Sequence, residues 1–358
     1  MMTAHMSESP LAKFLIYTAA FIVVVAGMKA AESLLVPFLL SIFIAVICSP
    51  LLAWMHERGI PYVVAILLTI SIIVVFGIGI GAVVGSSINS FSQDLPSYQS
   101  KLQHMNAEFS HWLEAQGVSI QALQLKDSFN PGTVMKMVGT TLASLGNVMT
   151  NAFLILLTVI FILSEETVFY SKLKAASTDS NKTLAAIERF TDSINRYMAL
   201  KTGFSLLTGV LIMLWLWILD VDYPVLWGML AFLLNFIPNL GSILAAVPAV
   251  LLALVQLGLG DALLTAIGFV AVNVLIGSVL EPRFMGKGLD LSALVVFLSL
   301  VFWGWVLGPV GMLLSVPLTM TLKIAFESFD DTHWISVILG SGETAQAVKN
   351  DANSAQFD

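Results

Sequence analysis

The sequence predicts an all-α polytopic membrane protein, and three observations carry that expectation. Of its 358 residues, 58% are hydrophobic and only 11% are charged, whereas a soluble domain carries about a quarter charged residues. A soluble fold would have to hide almost all of that apolar surface in one core, and surface-to-volume scaling does not allow it. The apolar residues also fall into blocks of roughly twenty, the length that crosses a bilayer. Finally, the polar residues gather in a few segments between those blocks. The formal charge of -7 arises mostly outside the blocks, so nothing in it points to nucleic acid as a partner. Cys48 is the sole cysteine, which excludes an intrachain disulfide and a cysteine-based metal cluster.

Taken in order, residues 1–10 are polar, and the apolar run after them lacks a small-residue cleavage site. It reads as a first span and not as a cleaved signal. That span, 14–28, is followed by a second at 34–48, with Lys29 and Glu32 between them. Pro50 and the turn His56-Glu57-Arg58-Gly59 close the pair, and the third span, 62–84, is free of charge. Residues 1–85 thus form the N-terminal membrane helices. Residues 86–146 are mixed and amphipathic, with Leu95, Leu102, Met105, Phe109, Trp112 and Leu113 at helical spacing. They read as a small extramembrane helical domain. A fourth span at 148–163 leads into a basic segment, so 147–202 is a membrane helix with a cytoplasmic extension. Spans at 203–219 and 262–280 complete six clear transmembrane helices, within a C-terminal membrane core of residues 203–326. Residues 327–358 are a polar cytoplasmic tail.

Two blocks do not fit a single span. Residues 225–257 are too long for one helix and short for two, and they are interrupted at Phe236-Ile237-Pro238-Asn239-Leu240-Gly241. Residues 291–326 are interrupted between Gly304 and Gly311 around Pro309. Each block is either a pair of short spans or a re-entrant hairpin, which brings the total to about eight spans. A faint internal repeat links them. Gly241 is followed by Ile243, Leu244 and Pro248, and Gly311 by Leu313, Leu314 and Pro317. The pairs Trp227-Gly228 and Trp303-Gly304 precede the two breaks.

Orientation follows from the basic residues, because cytoplasmic loops accumulate Lys and Arg. With the N-terminus inside and the spans alternating, Lys13, Arg58, Lys172, Lys174, Lys182, Arg189, Arg196, Lys201, Arg283, Lys287, Lys323 and Lys349 lie in the cytoplasm. Only Lys29, Lys101, Lys126 and Lys136 lie outside. Both termini are then cytoplasmic. The first broken block opens from outside and the second from inside. Opposed broken helices recur in secondary transporters, where backbone groups freed at mid-membrane bind substrate or ion.

No catalytic constellation is present in the sequence. His5, His56, His104, His111 and His333 lie in tails or loops, and there is no Walker A sequence. No metal ligand set and no cofactor are expected. Ser71, Thr158 and Thr208 sit within spans and are expected to bond their own helix backbone. The informative polar groups are Asn235, Asn239 and Ser242 around Pro238 and Gly241. Proline removes a helix donor, so the carbonyls of residues 234–238 are expected to need partners from a ligand, water or a neighbouring helix. Asn273 lies inside a span and reads as interhelical contact or substrate contact alike. At a cytoplasmic span end, Glu281-Pro282-Arg283-Phe284-Met285-Gly286-Lys287-Gly288 reads either as an interfacial anchor or as a gate whose ion pair breaks. Glu281 and Arg283 are expected to pair with each other or with a neighbouring helix. Glu165 and Glu166 read as boundary residues. Gly77, Gly79, Gly81 and Gly85 would allow close packing, which leaves a homo-oligomer open.

Three motifs in series resemble the autoinducer-2 exporter family, also described as permease-like. They are Asn235-Phe236-Ile237-Pro238-Asn239-Leu240-Gly241-Ser242 with Pro248, then Glu281-Pro282-Arg283-Phe284-Met285-Gly286, then Gly308-Pro309-Val310-Gly311-Met312-Leu313-Leu314-Ser315-Val316-Pro317. The resemblance covers residues 14–327. It implies export of a small quorum-sensing signal across the bacterial inner membrane, and with it a link to biofilm control. Other members of the family are assigned sodium or lithium/proton antiport.

The residues themselves bear on that choice. Autoinducer-2 is small, polyhydroxylated and mostly neutral, and a site for it needs hydrogen-bonding groups more than charge. Asn235, Asn239, Ser242, Asn273 and Ser315 supply them. An antiporter calls for a carboxylate deep in a span, as proton carrier or ion ligand, whereas Asp220, Asp261 and Glu281 all lie at span ends. The expected site is therefore the set Asn235, Pro238, Asn239, Gly241, Ser242, Asn273, Glu281, Arg283, Pro309, Gly311, Ser315 and Pro317. The expected partners are membrane lipid and a small-molecule signal, with coupling to protons or cations open. A membrane scaffold that does not transport is the third reading. It gives no reason for Asn, Pro and Gly breaks at membrane depth.

Overall fold

The computed structural model describes residues 10–116, 151–176, 180–238, 240–285, 291–327 and 332–340, and these residues are helical with no strand among them. The helices are α1 (Pro10–Ala30), α2 (Glu32–Glu57), α3 (Tyr62–Ala115), α4 (Ala152–Ala176), α5 (Ser180–Ile218), α6 (Pro224–Leu234), α7 (Gly241–Leu257), α8 (Leu259–Asn273), α9 (Glu281–Met285), α10 (Ala293–Glu327) and α11 (His333–Leu339). Between α8 and α9 the chain winds as a π-helix over Val274–Leu280. Among the described residues, five stretches are long and apolar enough to cross a membrane: Glu32–Glu57, Tyr62–Tyr98, Ser193–Ile218, Leu259–Phe284 and Ala293–Glu327. Their outer faces carry large side chains such as Val75, Ile78, Trp217 and Ile267, all more than half exposed. That surface suits lipid, where exposed apolar groups carry no penalty. Ser71, Thr158 and Thr208 donate to the carbonyls of Leu67, Leu154 and Phe204, four residues back, as the sequence leads one to expect.

Several boundaries differ from the sequence expectation, each for a local reason. The second span does not stop at Cys48 but runs through Pro50 to Glu57 and turns at Gly59, where φ is +85°. The third does not stop at Val84. It continues as one helix of 54 residues to Ala115, so the first half of the expected extramembrane segment prolongs a span. Gly85 and Ser86 weaken the helix at that point without ending it, and the apolar pattern changes there without a change of period. Residues 117–150 lie outside the described set. On either side of residues 177–179, the basic segment is helical as well, in α4 and α5.

The chain forms two compact units, Met1–Phe43 with Leu291–Asp358, and Ile44–Asp290. In the second, α5, α6, α7 and α8 pack with the part of α3 from Val84 to Tyr98 around Trp227, Leu230, Ala245, Ala249 and Leu252, all almost fully buried. Gly209 on α5 and Gly228 on α6 face each other. A Cβ on either would stand 2.6–2.7 Å from the other's carbonyl oxygen, so these two helices approach at backbone distance. By contrast, Gly77, Gly79 and Gly85 have nothing of this chain within 4 Å of where their Cβ would be. In the first unit, α1, the start of α2 and α10 meet around Val25, Trp303, Val306 and Leu307.

Candidate functional site

The packed face of α5 can be read from its buried positions. Ile194, Met198, Ser205, Ile212 and Leu216 recur at helical spacing, and Lys201 and Thr208 fall in the same stripe. Lys201 and Ser205 are one turn apart and so are neighbours on that face. Each meets a chain break. The Asn235 amide, at the end of α6, donates from Nδ2 to Ser205 Oγ at 3.0 Å. Lys201 Nζ donates to Glu281 Oε1 at 2.6 Å, where the π-helix ends. The lysine side chain is 7% exposed and the glutamate 15%, so the charges neutralise one another largely out of water. One residue on from Lys201, the hydroxyl oxygen of Thr202 is buried with no partner among the described residues.

The first break spans residues 235–240, between α6 and α7, as expected. The carbonyls around it are better answered than Pro238 alone would suggest. Ile237 N–H donates to Leu234 O, Leu240 N–H to Pro238 O and Gly241 N–H to Ile237 O, at 2.6–3.1 Å. Tight turns thus replace the helical bonds that the proline removes. Gly241 is needed here, because a Cβ would collide with the Leu234 carbonyl oxygen. Ser242 is half-buried in the first turn of α7. Asn239 lies outside the described residues.

The second break in this unit has no counterpart in the sequence expectation. Where a plain span was expected at 262–280, the last seven residues widen into a π-helix, with Glu281 N–H donating to Ile276 O. Pro282 accounts for it. Proline has no N–H to close an α-turn on Ser278, and its ring crowds that carbonyl. Widened turns just ahead of it relieve the clash. Such π-segments are uncommon and concentrate at functional sites. Asn273 stands at the start of the π-helix, its Oδ1 3.3 Å from where a Cβ on Gly277 would lie. Arg283 is exposed, so the partner of Glu281 is Lys201 on α5 and not Arg283. Residues 286–290 lie outside the described set.

The remaining candidates belong to the other unit. Within α10 the helix breaks at Gly308, with φ 63° and ψ -152°, between the expected limits Gly304 and Gly311. Pro309 has no N–H for the carbonyl of Trp305. The Lys29 ammonium supplies the missing donor at 2.6 Å and lies 5.3 Å from the centre of the Trp305 ring. A Glu32 carboxylate oxygen is 3.2 Å from where a Cβ on Gly308 would be. Gly311 closes against the Trp303 carbonyl as Gly241 does against Leu234. Ser315 is fully buried and donates to Met312 O of its own helix, while Pro317 sits inside the outgoing half.

Sequence reasoning missed Lys201, Ser205, Lys29 and Glu32 as site residues. Lys201 was counted among the basic residues of a loop, and Lys29 and Glu32 as a linker. Their signal was a charge within one turn of a long apolar block, which lipid makes expensive unless it is paired.

Against known proteins, residues 18–331 match the family described as AI-2E family transporter. The chain is 40% identical to the AI-2 transport protein TqsA of Escherichia coli K12, over 91% of this chain and 95% of that one. A putative transport protein of Haemophilus influenzae is also 40% identical, over 91% and 95% of the two chains. The putative transport protein YhhT of Escherichia coli K12 is 34% identical over 92% and 94%.

Proposed function

This chain belongs to the AI-2E transporter family, and from that premise we propose that it exports autoinducer-2 from the cytoplasm through the bacterial inner membrane. Transport is the function of the family, and membrane-spanning helices fit it. The direction, the cargo, the path of about eight spans and the cytoplasmic placement of both termini are parts of this proposal. So are the roles in quorum sensing and biofilm control. The observation that carries it is the double contact on α5, Asn235 with Ser205 and Lys201 with Glu281, at adjacent positions where two chain breaks meet. Each contact ties α5 to a segment whose backbone is not held by regular α-helical bonds. Breaking and remaking the two contacts would let those segments move against α5. Because Lys201 and Glu281 neutralise each other, the site offers hydrogen-bonding groups with no net charge, which suits a small neutral polyol.

The test compares deletion, complemented and overexpressing strains for autoinducer-2 inside and outside the cell. Deletion is expected to raise the intracellular share, and complementation with Asn235→Ala is expected to restore it only in part. One observation favours a second reading. Glu281 is a half-buried carboxylate whose counter-ion is a lysine, and a sodium or lithium ion or a proton competes for such a group. Unchanged signal partition with altered lithium or sodium tolerance in the deletion strain would replace the exporter with the antiporter.

A further inference from the structure

Lys201 and the end of α5 at Ile218 are about 26 Å apart along the helix axis, at 1.5 Å per residue. That distance is close to the ~30 Å of a hydrocarbon core. Beyond Ile218 the chain turns through residues 219–223 into α6, and this turn is held from several directions. Tyr98, on α3, donates its hydroxyl to Asp222 Oδ2 at 2.6 Å. Tyr223 donates its hydroxyl back to Asp94 Oδ2 of α3, also at 2.6 Å. The Gln256 side chain accepts from Asp222 N–H and donates to Asp220 O, both at 2.9 Å. Trp227, fully buried, donates its indole N–H to Asp222 O. Lys101 Nζ reaches Gln256 O at 3.2 Å. Phe91 stacks on Tyr98 and meets Tyr223 edge-on, with ring centres 6.0 and 6.5 Å apart.

The turn so held is strained. Asp220, with φ 56°, closes α5 through its own N–H on Trp217 O and the Val221 N–H on Leu216 O, but Tyr223, with φ 61°, is a bulky residue held in the left-handed region. Backbone of this kind persists only where its surroundings over-determine it, and it concentrates at ligand clamps and switches. The helix it grips has a weak point at the same level, since Pro96 lies inside α3 between Asp94 and Tyr98 and removes one helical bond there. Tyrosine–carboxylate bonds are charge-assisted and directional. Two of them exchanged between the same pair of elements, one in each direction, make a reciprocal lock.

We propose that Asp94, Tyr98, Asp222 and Tyr223 form a gate at the end of α5 opposite Lys201–Glu281. The gate is closed in this structure and opens when the stretch of α3 that carries Asp94 and Tyr98, weakened by Pro96 between them, draws away from residues 219–223 as one piece. This rests on the transporter reading and adds to it a second closure, on the other face. The opening releases the strain in residues 219–223 and the grip of α3 together. Gln256 and Trp227 stay with α6 and α7 and set the closed position to which the turn returns.

The test uses the full-length protein in lipid nanodiscs and reads amide hydrogen exchange. The double variant Y98F/Y223F keeps the rings and removes only the two hydroxyls. It is expected to exchange about tenfold faster across residues 94–101 and 219–223, with residues 197–205 unchanged. Wild-type protection in both segments overturns the gate. Protection lost throughout the chain overturns it too, since the cluster then only supports the fold. A second measurement reads transport. The variant Y98C/D222C, in a Cys48→Ser background, is bridged with a short reducible dithiol-reactive linker, and autoinducer-2 efflux from cells is followed. Efflux is expected to stop on bridging and return on reduction. Equal efflux in both forms overturns the gate. If the wild-type protein moves no autoinducer-2, the cargo reading falls, while hydrogen exchange still decides the gate.

Discussion

Gly241 and Gly311 each stand where a half-helix leaves a break, and each presses its α-carbon against the carbonyl of the incoming half, Leu234 in one case and Trp303 in the other. Alanine at either position is expected to cost about 1–3 kcal/mol, the usual penalty for overpacking. Gly85→Ala, with nothing within 4 Å, should stay within about 0.5 kcal/mol of wild type. Thermal unfolding in nanodiscs measures all three. The Lys201–Glu281 pair makes a sharper prediction. Glu281→Gln leaves a buried ammonium unpaired and is expected to destabilise by about 3–5 kcal/mol, whereas K201M/E281M, which removes both charges, should recover most of that loss. A double-mutant cycle checks it. At the other end of α5, burial first, and then the bond to Asp94, holds the Tyr223 hydroxyl above the ordinary tyrosine range. Since the folded value is the higher one, its stabilising effect is complete below about pH 10 and is lost as the pH rises further. Tyr223→Phe should lessen the alkaline loss in unfolding curves taken across pH 9–11, by removing one of the contributing tyrosines.

At the level of elements, the two breaks differ in how they satisfy their backbone. The α6–α7 break answers itself, through turn bonds among Leu234, Ile237, Pro238 and Gly241. The α10 break depends on a neighbour, because Lys29, from the end of α1, takes the place of the N–H that Pro309 lacks. Gly308→Ala is expected to cost about 1–3 kcal/mol, since its backbone lies in a region only glycine occupies readily. Lys29→Met should add a smaller loss, about 0.5–1.5 kcal/mol, the net worth of one hydrogen bond at an exposed carbonyl. Denaturation of the two variants, singly and together, tests whether the losses add. They should not, because both act on one break.

Across the whole molecule, the breaks at residues 235–240 and at Gly308 were legible from proline and glycine inside apolar blocks, whereas the π-helix was not. Nor were the partners of those breaks. Asn235 was marked by its place beside Pro238, yet Ser205 resembled any span serine that bonds its own helix, and only the return of α6 along α5 pairs the two. Glu281 was marked as a gate residue with Arg283 as one expected partner. Lys201, eighty positions earlier, is the partner because α8 and the π-helix run back along α5. The π-helix left a trace in Pro282, just past the expected end of the span at residue 280.

What the sequence determined alone was the solvent of the fold and two of the places where its helices fail. Both follow from local chemistry: the length of an apolar block, and the donor that a proline lacks. Only the tertiary structure decided which charge answers which break. Ion pairs and side-chain bonds between helices depend on which faces meet, and a hydropathy pattern that is apolar all round a helix does not specify a face. The strained turn at Asp220 and Tyr223 belongs to this second class. Neither residue is a glycine, and the bonds from α3, Gln256 and Trp227 join the turn's own backbone bonds in holding it.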